Sequence, residues 1–141
     1  MIKYFIIAIF FFSSFFALAQ KTETFVDSTS NSKISADFLP IVVYNDTLFY
    51  IHNGLGSKSI KERATDITRK SEILINDFSF DKNKLVIDST DFTTFIRYED
   101  EIVVAIGAED EKPFGKHRLE IAKLWLSILR DKIDKEHQDR S

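Results

Sequence analysis

Two apolar, β-branched runs separated by a short polar break begin the regular pattern of the chain. The runs are Ile41 to Tyr44 and Thr47 to Ile51, and Asn45 and Asp46 lie between them. Asn and Asp tolerate the left-handed backbone conformation that a tight turn requires, so we predict an antiparallel hairpin. Three more β-prone runs, LVIDS, TTFIRYED and EIVVAIGA, follow later with short polar breaks between them. That spacing is typical of neighbouring antiparallel strands.

A helical period replaces the strand pattern in two places. The first helix begins at Ser59 and ends near Asn76, and its apolar face consists of Ile60, Ala64, Ile67, Ser71 and Leu74. We assign the charged positions between them to solvent: Lys61, Glu62, Arg63, Asp66, Arg69 and Lys70. The second helix starts near Pro113, because acidic residues suit the positive end of a helix and proline fits its first turn. The predicted fold is α+β, with an antiparallel sheet of about five short strands in the order ββαβββα and two helices packed on it.

The last helix has a wider apolar surface than packing on one sheet requires. Leu119, Ala122, Leu126, Leu129 and Ile133 form one stripe, and Ile121, Leu124, Trp125 and Ile128 extend beyond it. A helix on one sheet face needs a stripe about 100° wide. Either the helix is nested deeply between the sheet and the first helix, or Leu124, Trp125 and Ile128 form an interface with a partner.

The N-terminus has the organisation of a signal peptide. Lys3 is followed by an apolar run and then by Ala17-Leu18-Ala19, a small-x-small cleavage pattern. We predict that residues 1–19 are removed and that the protein is exported to the periplasm. The alternative is a retained membrane anchor, since this run approaches the roughly 17 to 25 apolar residues of a membrane span. Residues 20–37 are polar and predict a flexible leader, residues 38–136 the α+β domain and residues 137–141 a polar tail.

Composition limits the classes of function. The chain has 141 residues, a formal net charge of −3 and no cysteine. This length suits one domain, and a mildly acidic domain has no electrostatic reason to bind nucleic acid. Without cysteine there is neither a disulfide nor a thiol nucleophile, which favours a bacterial periplasmic protein with an ordinary hydrophobic core.

The stretch FYIHNGLGSKSIKERA, residues 49–64, contains the elements of a phosphate-binding loop in the wrong spacing. A P-loop needs lysine directly after its second glycine, but Ser57 stands between Gly56 and Lys58. Ser59 also occupies the place of the third glycine in a dinucleotide-binding motif. We therefore expect no nucleotide. Ser59 and Glu62 instead have the spacing of a helix capping box, and Gly54 and Gly56 allow a sharp turn before the helix.

No motif of catalysis or metal binding is present in the sequence. His52, His117 and His137 are far apart, and neither an HExxH nor a G-x-S-x-G motif occurs. We predict a protein that is not an enzyme and has no metal or other cofactor. The alternative is a small ligand-binding or hydrolytic protein whose site lies near the Gly54–Gly56 turn, with His52 and acidic residues converging there.

The order of these residues resembles the extracytoplasmic N-terminal domain of bacterial small-conductance mechanosensitive channels, especially those of Bacteroidetes-type bacteria. In the first part of the pattern the matching residues are Pro40, Ile41, Val42, Val43, Asp46, Thr47, Leu48, Phe49 and Ile51. In the second they are Gly56, Ser59, Glu62, Arg63 and Ala64. The resemblance extends over roughly residues 40–133, since EIVVAIGAEDE is similar to the strand that precedes the last helix of that domain.

The resemblance implies a non-enzymatic periplasmic sensor or interaction domain, associated with the membrane through its partners. The expected partners are membrane channel subunits or another copy of this chain. The family's pore helices have no counterpart in residues 20–141, so this chain is either the front piece of a truncated channel or a free-standing copy of the domain.

Overall fold

A tight hairpin opens the described part of the chain, residues 38–141 of a computed structural model. The predicted signal peptide and leader lie outside the described residues. Strand β1 (Leu39–Val43) pairs antiparallel with β2 (Asp46–Ile51). The two turn residues are Tyr44 and Asn45, both with positive φ, and Asp46 already belongs to β2. The predicted turn was thus one residue too late, because a two-residue hairpin turn of this kind needs positive φ at both central positions.

A three-stranded meander follows the first helix. It consists of β3 (Leu85–Ser89), β4 (Thr93–Tyr98) and β5 (Glu101–Gly107), all antiparallel. A short 3₁₀ turn, Lys82–Lys84, leads into β3.

The five strands form two sheets, β1-β2 and β3-β4-β5, whereas a single sheet was expected. The helix α1 (Ile60–Asn76) lies against both β1 and β5. Its Lys70 ammonium donates a hydrogen bond of 2.5 Å to the carbonyl oxygen of Ile102 in β5. In this position α1 separates the two sheets, and its side chains donate hydrogen bonds to backbone carbonyl groups of the edge strand β5.

The chain forms three helices in the described residues, one more than predicted. The acidic residues and Pro113 belong to a separate short helix, α2 (Ala108–Phe114), and not to the last one. Gly115 ends α2 with a φ of 58°, a left-handed conformation that glycine adopts without strain. The helix α3 (Arg118–Asp139) begins after Gly115 and extends beyond residue 136, the predicted end of the domain.

The core lies between the two sheets, α1 and α3. Helix α3 contacts β2 and all three strands of the second sheet. Trp125 is 1% exposed, and its ring stacks on Phe49 of β2 with 4.3 Å between ring centroids. The other buried residues of α3 include Ile121, Ala122, Leu126, Leu129 and Ile133. The deeply nested arrangement of α3 therefore accounts for most of its wide apolar surface. Within residues 38–141, no helix combines the length and the apolar character needed to cross a bilayer.

Candidate functional site

The glycine corner between β2 and α1 is built around a helix cap. The Ser59 hydroxyl accepts a hydrogen bond of 3.2 Å from the Glu62 backbone N–H. The Glu62 carboxylate accepts one of 2.8 Å from the Ser59 N–H, which lowers the pKa of Glu62. These two bonds satisfy donors at the helix start that have no partner inside the helix.

Each glycine of this corner has its own structural reason. Gly56 has a φ of 60°, in the left-handed region. At Gly54 a Cβ atom would stand 2.3 Å from the carbonyl oxygen of Lys58, so any side chain there would force the backbone apart. The Leu55 and Lys58 backbones bond to each other in both directions, at 3.0 and 3.1 Å. The loop N–H groups of these two residues are thus used internally and are unavailable to a phosphate.

Beneath the corner lies a buried ion pair between α1 and α2. The Arg63 guanidinium donates two bonds to the Asp110 carboxylate, at 2.8 and 2.9 Å. It also donates to the carbonyl oxygens of Asn53 and Ala105, both at 2.8 Å. Arg63 and Asp110 are 4% and 1% exposed. The assignment of Arg63 to solvent was therefore wrong, because its partner comes from an element 47 residues away.

Asp110 extends this polar cluster to the start of α2. Its Oδ2 atom also accepts a bond of 2.9 Å from the Gly107 N–H, and the Asn53 amide donates one of 2.9 Å to the Glu109 carbonyl oxygen. The cluster thus joins the end of β2, α1, β5 and α2. Apart from the Arg63 Nε–H, which is buried without a hydrogen-bond partner in the described part of the chain, these polar groups bond to one another, which gives the cluster a structural role.

The region around His52 contains a shallow cavity of about 450 Å³, lined by His52, Asn53, Glu109, Lys112 and Pro113. The imidazole ring lies 5.1 Å from the Phe114 ring and 5.8 Å from the Phe38 ring, measured between centroids. Asn53 is committed to the polar cluster through both its side chain and its carbonyl oxygen. His52 therefore packs against two aromatic rings and lies beside a polar surface.

The other two histidines lie elsewhere. The His117 ring caps α3 by accepting from the Leu119 N–H at 3.3 Å, and the Nε2 atom of His137 lies 2.8 Å from the carbonyl oxygen of Ile75. The structure therefore does not bring the three histidines together. Within residues 38–141, no group of three or more His, Asp or Glu side chains has an arrangement that could hold a metal ion.

The predicted interface residues of α3 have different environments. Trp125 is buried in the core and cannot contact a partner, so the prediction that it belongs to the interface was wrong. Leu124 is 52% exposed, and Ile128, one turn further on, is half-buried against the core. Only the Leu124 side of the predicted interface is open to solvent.

A larger surface feature, which the sequence patterns did not indicate, lies between α1 and the β4–β5 turn. We call it the α1 groove, a cavity of about 520 Å³. One wall carries Arg69, Lys70 and Ile73 of α1, with Asp77 at the helix end. The other carries Glu99 and Asp100 of the turn and Glu101 at the start of β5. The buried side chains of Leu74, Tyr98 and Val103 form its floor.

Ion pairs hold part of this groove in place. Lys70 forms a salt bridge of 2.7 Å with Glu101, whose pKa is lowered by that contact. Lys84 forms one of 2.7 Å with Glu99, which raises the pKa of Lys84. The groove thus has an apolar floor between one basic and one acidic wall.

Comparison with known proteins places this architecture in a family. Residues 40–136, more than half of the chain, match the family described as a domain of unknown function (DUF8459). The chain belongs to this family. No curated protein and no solved structure matches it. The DUF8459 match begins inside β1 and ends near the end of α3, so it includes both the polar cluster and the α1 groove.

Proposed function

We propose that this domain is a non-enzymatic, exported interaction module that acts by contact with other proteins. The observation that carries the proposal is the outer side of α3, where Leu124 is 52% exposed beside the half-buried Ile128. Leu119 of the same helix is also exposed, at 38%. A large aliphatic side chain left in water gains free energy when a partner covers it.

More specifically, we propose that the domain is related to mechanosensitive channels. This relation is supported by the residue order from Pro40 to Ala64, which resembles the extracytoplasmic N-terminal module of those channels. Part of that order consists of the glycine corner and the capping box, which position α1 against both sheets. On this proposal the domain contacts membrane channel subunits or another copy of itself in the periplasm.

Photo-crosslinking in the native host tests the proposal. A crosslinking amino acid replaces Leu124 in the full chain, and the matched control carries it at Lys61, which is exposed on α1. We expect an adduct from position 124 in the periplasmic or membrane fraction, identified by mass spectrometry as a channel subunit or a second copy. Equal labelling at both positions, or none at position 124, would contradict a contact function of this surface.

A further inference from the structure

The two walls of the α1 groove carry charges that are available to a partner. Among the described residues the Asp100 carboxylate forms no ion pair, and only its carbonyl oxygen is used, by Arg97. On the opposite wall Arg69 reaches Asp66 at 3.6 Å, and the side chain is 57% exposed. One accessible cation and one accessible anion therefore face each other across the groove.

A groove with positive charge on one wall and negative charge on the other can pair with the same groove of a second copy. In a dimer with two-fold symmetry, the same patch of both copies forms the contact. If the symmetry axis runs along the groove, the α1 wall of one copy meets the turn wall of the other. Arg69 then faces Asp100 of the second copy, and this pairing occurs twice in the dimer.

An exposed apolar side chain on the α1 wall can fill the space between two grooves. Ile73 lies on the groove wall and is 54% exposed, whereas the next residue of the same helix, Leu74, is buried. A cavity of about 520 Å³ accommodates such side chains.

We infer that a second copy of this chain occupies the α1 groove and forms an isologous dimer. Ile73 of both copies supplies its apolar centre, and Arg69 and Asp100 pair across its rim. This inference goes beyond the proposed contact function, because it assigns a second surface, separate from the Leu124 side of α3, and names the partner that binds it. Stable complexes bury about 800 Å² per partner, whereas this contact depends on a few side chains around one groove, so we expect a weak dimer that exchanges rapidly.

Sedimentation equilibrium of the protein made from the full-length gene tests the dimer. Ile73→Ser should raise the dimer dissociation constant about tenfold or more, since it removes the central apolar contact from both copies. The matched control is Phe92→Ser, because Phe92 is 81% exposed but lies just before β4, at the opposite end of that strand from the groove residue Tyr98. This control should leave the dissociation constant unchanged. A chain that stays monomeric up to about 1 mM overturns the inference.

A charge exchange identifies the surface. Arg69→Glu and Asp100→Lys should each weaken the dimer, and the chain with both substitutions should recover most of the loss because the pair is restored in reverse. If neither substitution changes the dimer dissociation constant, or if the double variant dimerises more weakly than either single variant, the α1 groove is not the dimer interface. Either result leaves the Leu124 crosslinks unaffected, so failure here is distinguishable from failure of the proposed contact function.

Discussion

Arg63 shows how one side chain can join distant parts of this domain. An arginine has five N–H donors, and in Arg63 four of them reach Asp110, Asn53 and Ala105. The fifth donor, the Nε–H, is buried without a partner in the described residues. Two charges removed from water require this extent of bonding, because the cost of desolvation is offset only by good geometry. Loss of either charge leaves the other buried without compensation.

The Asp110→Ala variant should therefore be strongly destabilised, by about 3–5 kcal/mol in the free energy of unfolding. Urea unfolding measures this as a lower midpoint with an unchanged slope. The control is Glu109→Ala, the neighbouring acid, which is exposed and, within residues 38–141, forms its ion pair with Lys112 at 2.8 Å. It should have little effect. Equal stability of the two variants would show that the buried pair does not hold the domain together.

At the level of elements, the position of α1 depends on how it starts. The capping box fixes the first turn, and the close approach of Gly54 to Lys58 brings the chain from β2 into the helix. The far end of α3 is held in a different way. Arg140 donates to the Asn76 side chain at 2.8 Å and lies over the Tyr44 ring at 5.3 Å. The two long helices are therefore positioned by polar contacts at their ends and by apolar contacts along their length.

Ser59→Ala should lower the free energy of unfolding by about 1 kcal/mol, because the Glu62 N–H loses its acceptor. Ser57→Ala is the matched control, since Ser57 is an exposed serine in the same loop outside the capping box. It should unfold at the same denaturant concentration as the unmodified chain. If Ser57→Ala is as destabilising as Ser59→Ala, the effect belongs to the loop and not to the cap.

Across the whole molecule, ion pairs tie the first hairpin to the last helix. Lys132 of α3 donates to Asp46 of β2 and to Glu136, both at 2.6 Å. Its hydrogen bond lowers the pKa of Asp46. Burial acts to lower the pKa of Lys132, but the two carboxylates outweigh it and raise that pKa. Both charged forms are thus favoured in the folded chain.

These shifts predict the dependence of stability on pH. A carboxylate whose pKa is lowered on folding adds stability above its ordinary pKa and loses it as the pH falls through the folded value. Asp46 and Glu62, with ordinary values of 3.8 and 4.5, should therefore make the protein less stable as the pH falls below about 4.5. Lys132, with a raised pKa, adds stability that is lost only above 10.5.

Thermal unfolding at a series of pH values checks this expectation. The melting temperature should be nearly constant near neutral pH and should fall on acidification. Asp46→Asn serves as the comparison, because it removes one of the titrating groups and should decline less steeply with acid. An identical slope in both chains would mean that the Asp46–Lys132 pair contributes nothing to the acid response.

The sequence alone determined the features that depend on neighbouring residues. The β-prone runs, the capping box at Ser59 and the breadth of the apolar surface on α3 are all local patterns, because side chains that avoid water recur with the period of the element that carries them. The α+β class follows from the order of these patterns. The turn at Tyr44 and Asn45 was displaced by one residue, since several backbone registers satisfy the same local pattern.

Only the tertiary structure decided which elements meet. It divided five strands into two sheets with α1 between them, separated α2 from α3, and buried Trp125 where the sequence also allowed an interface. It also paired Arg63 with an aspartate 47 residues away and placed the basic wall of α1 beside the acidic β4–β5 turn. A charged residue carries no local sign of its distant partner, because its burial depends on the packing of elements that are remote in the chain.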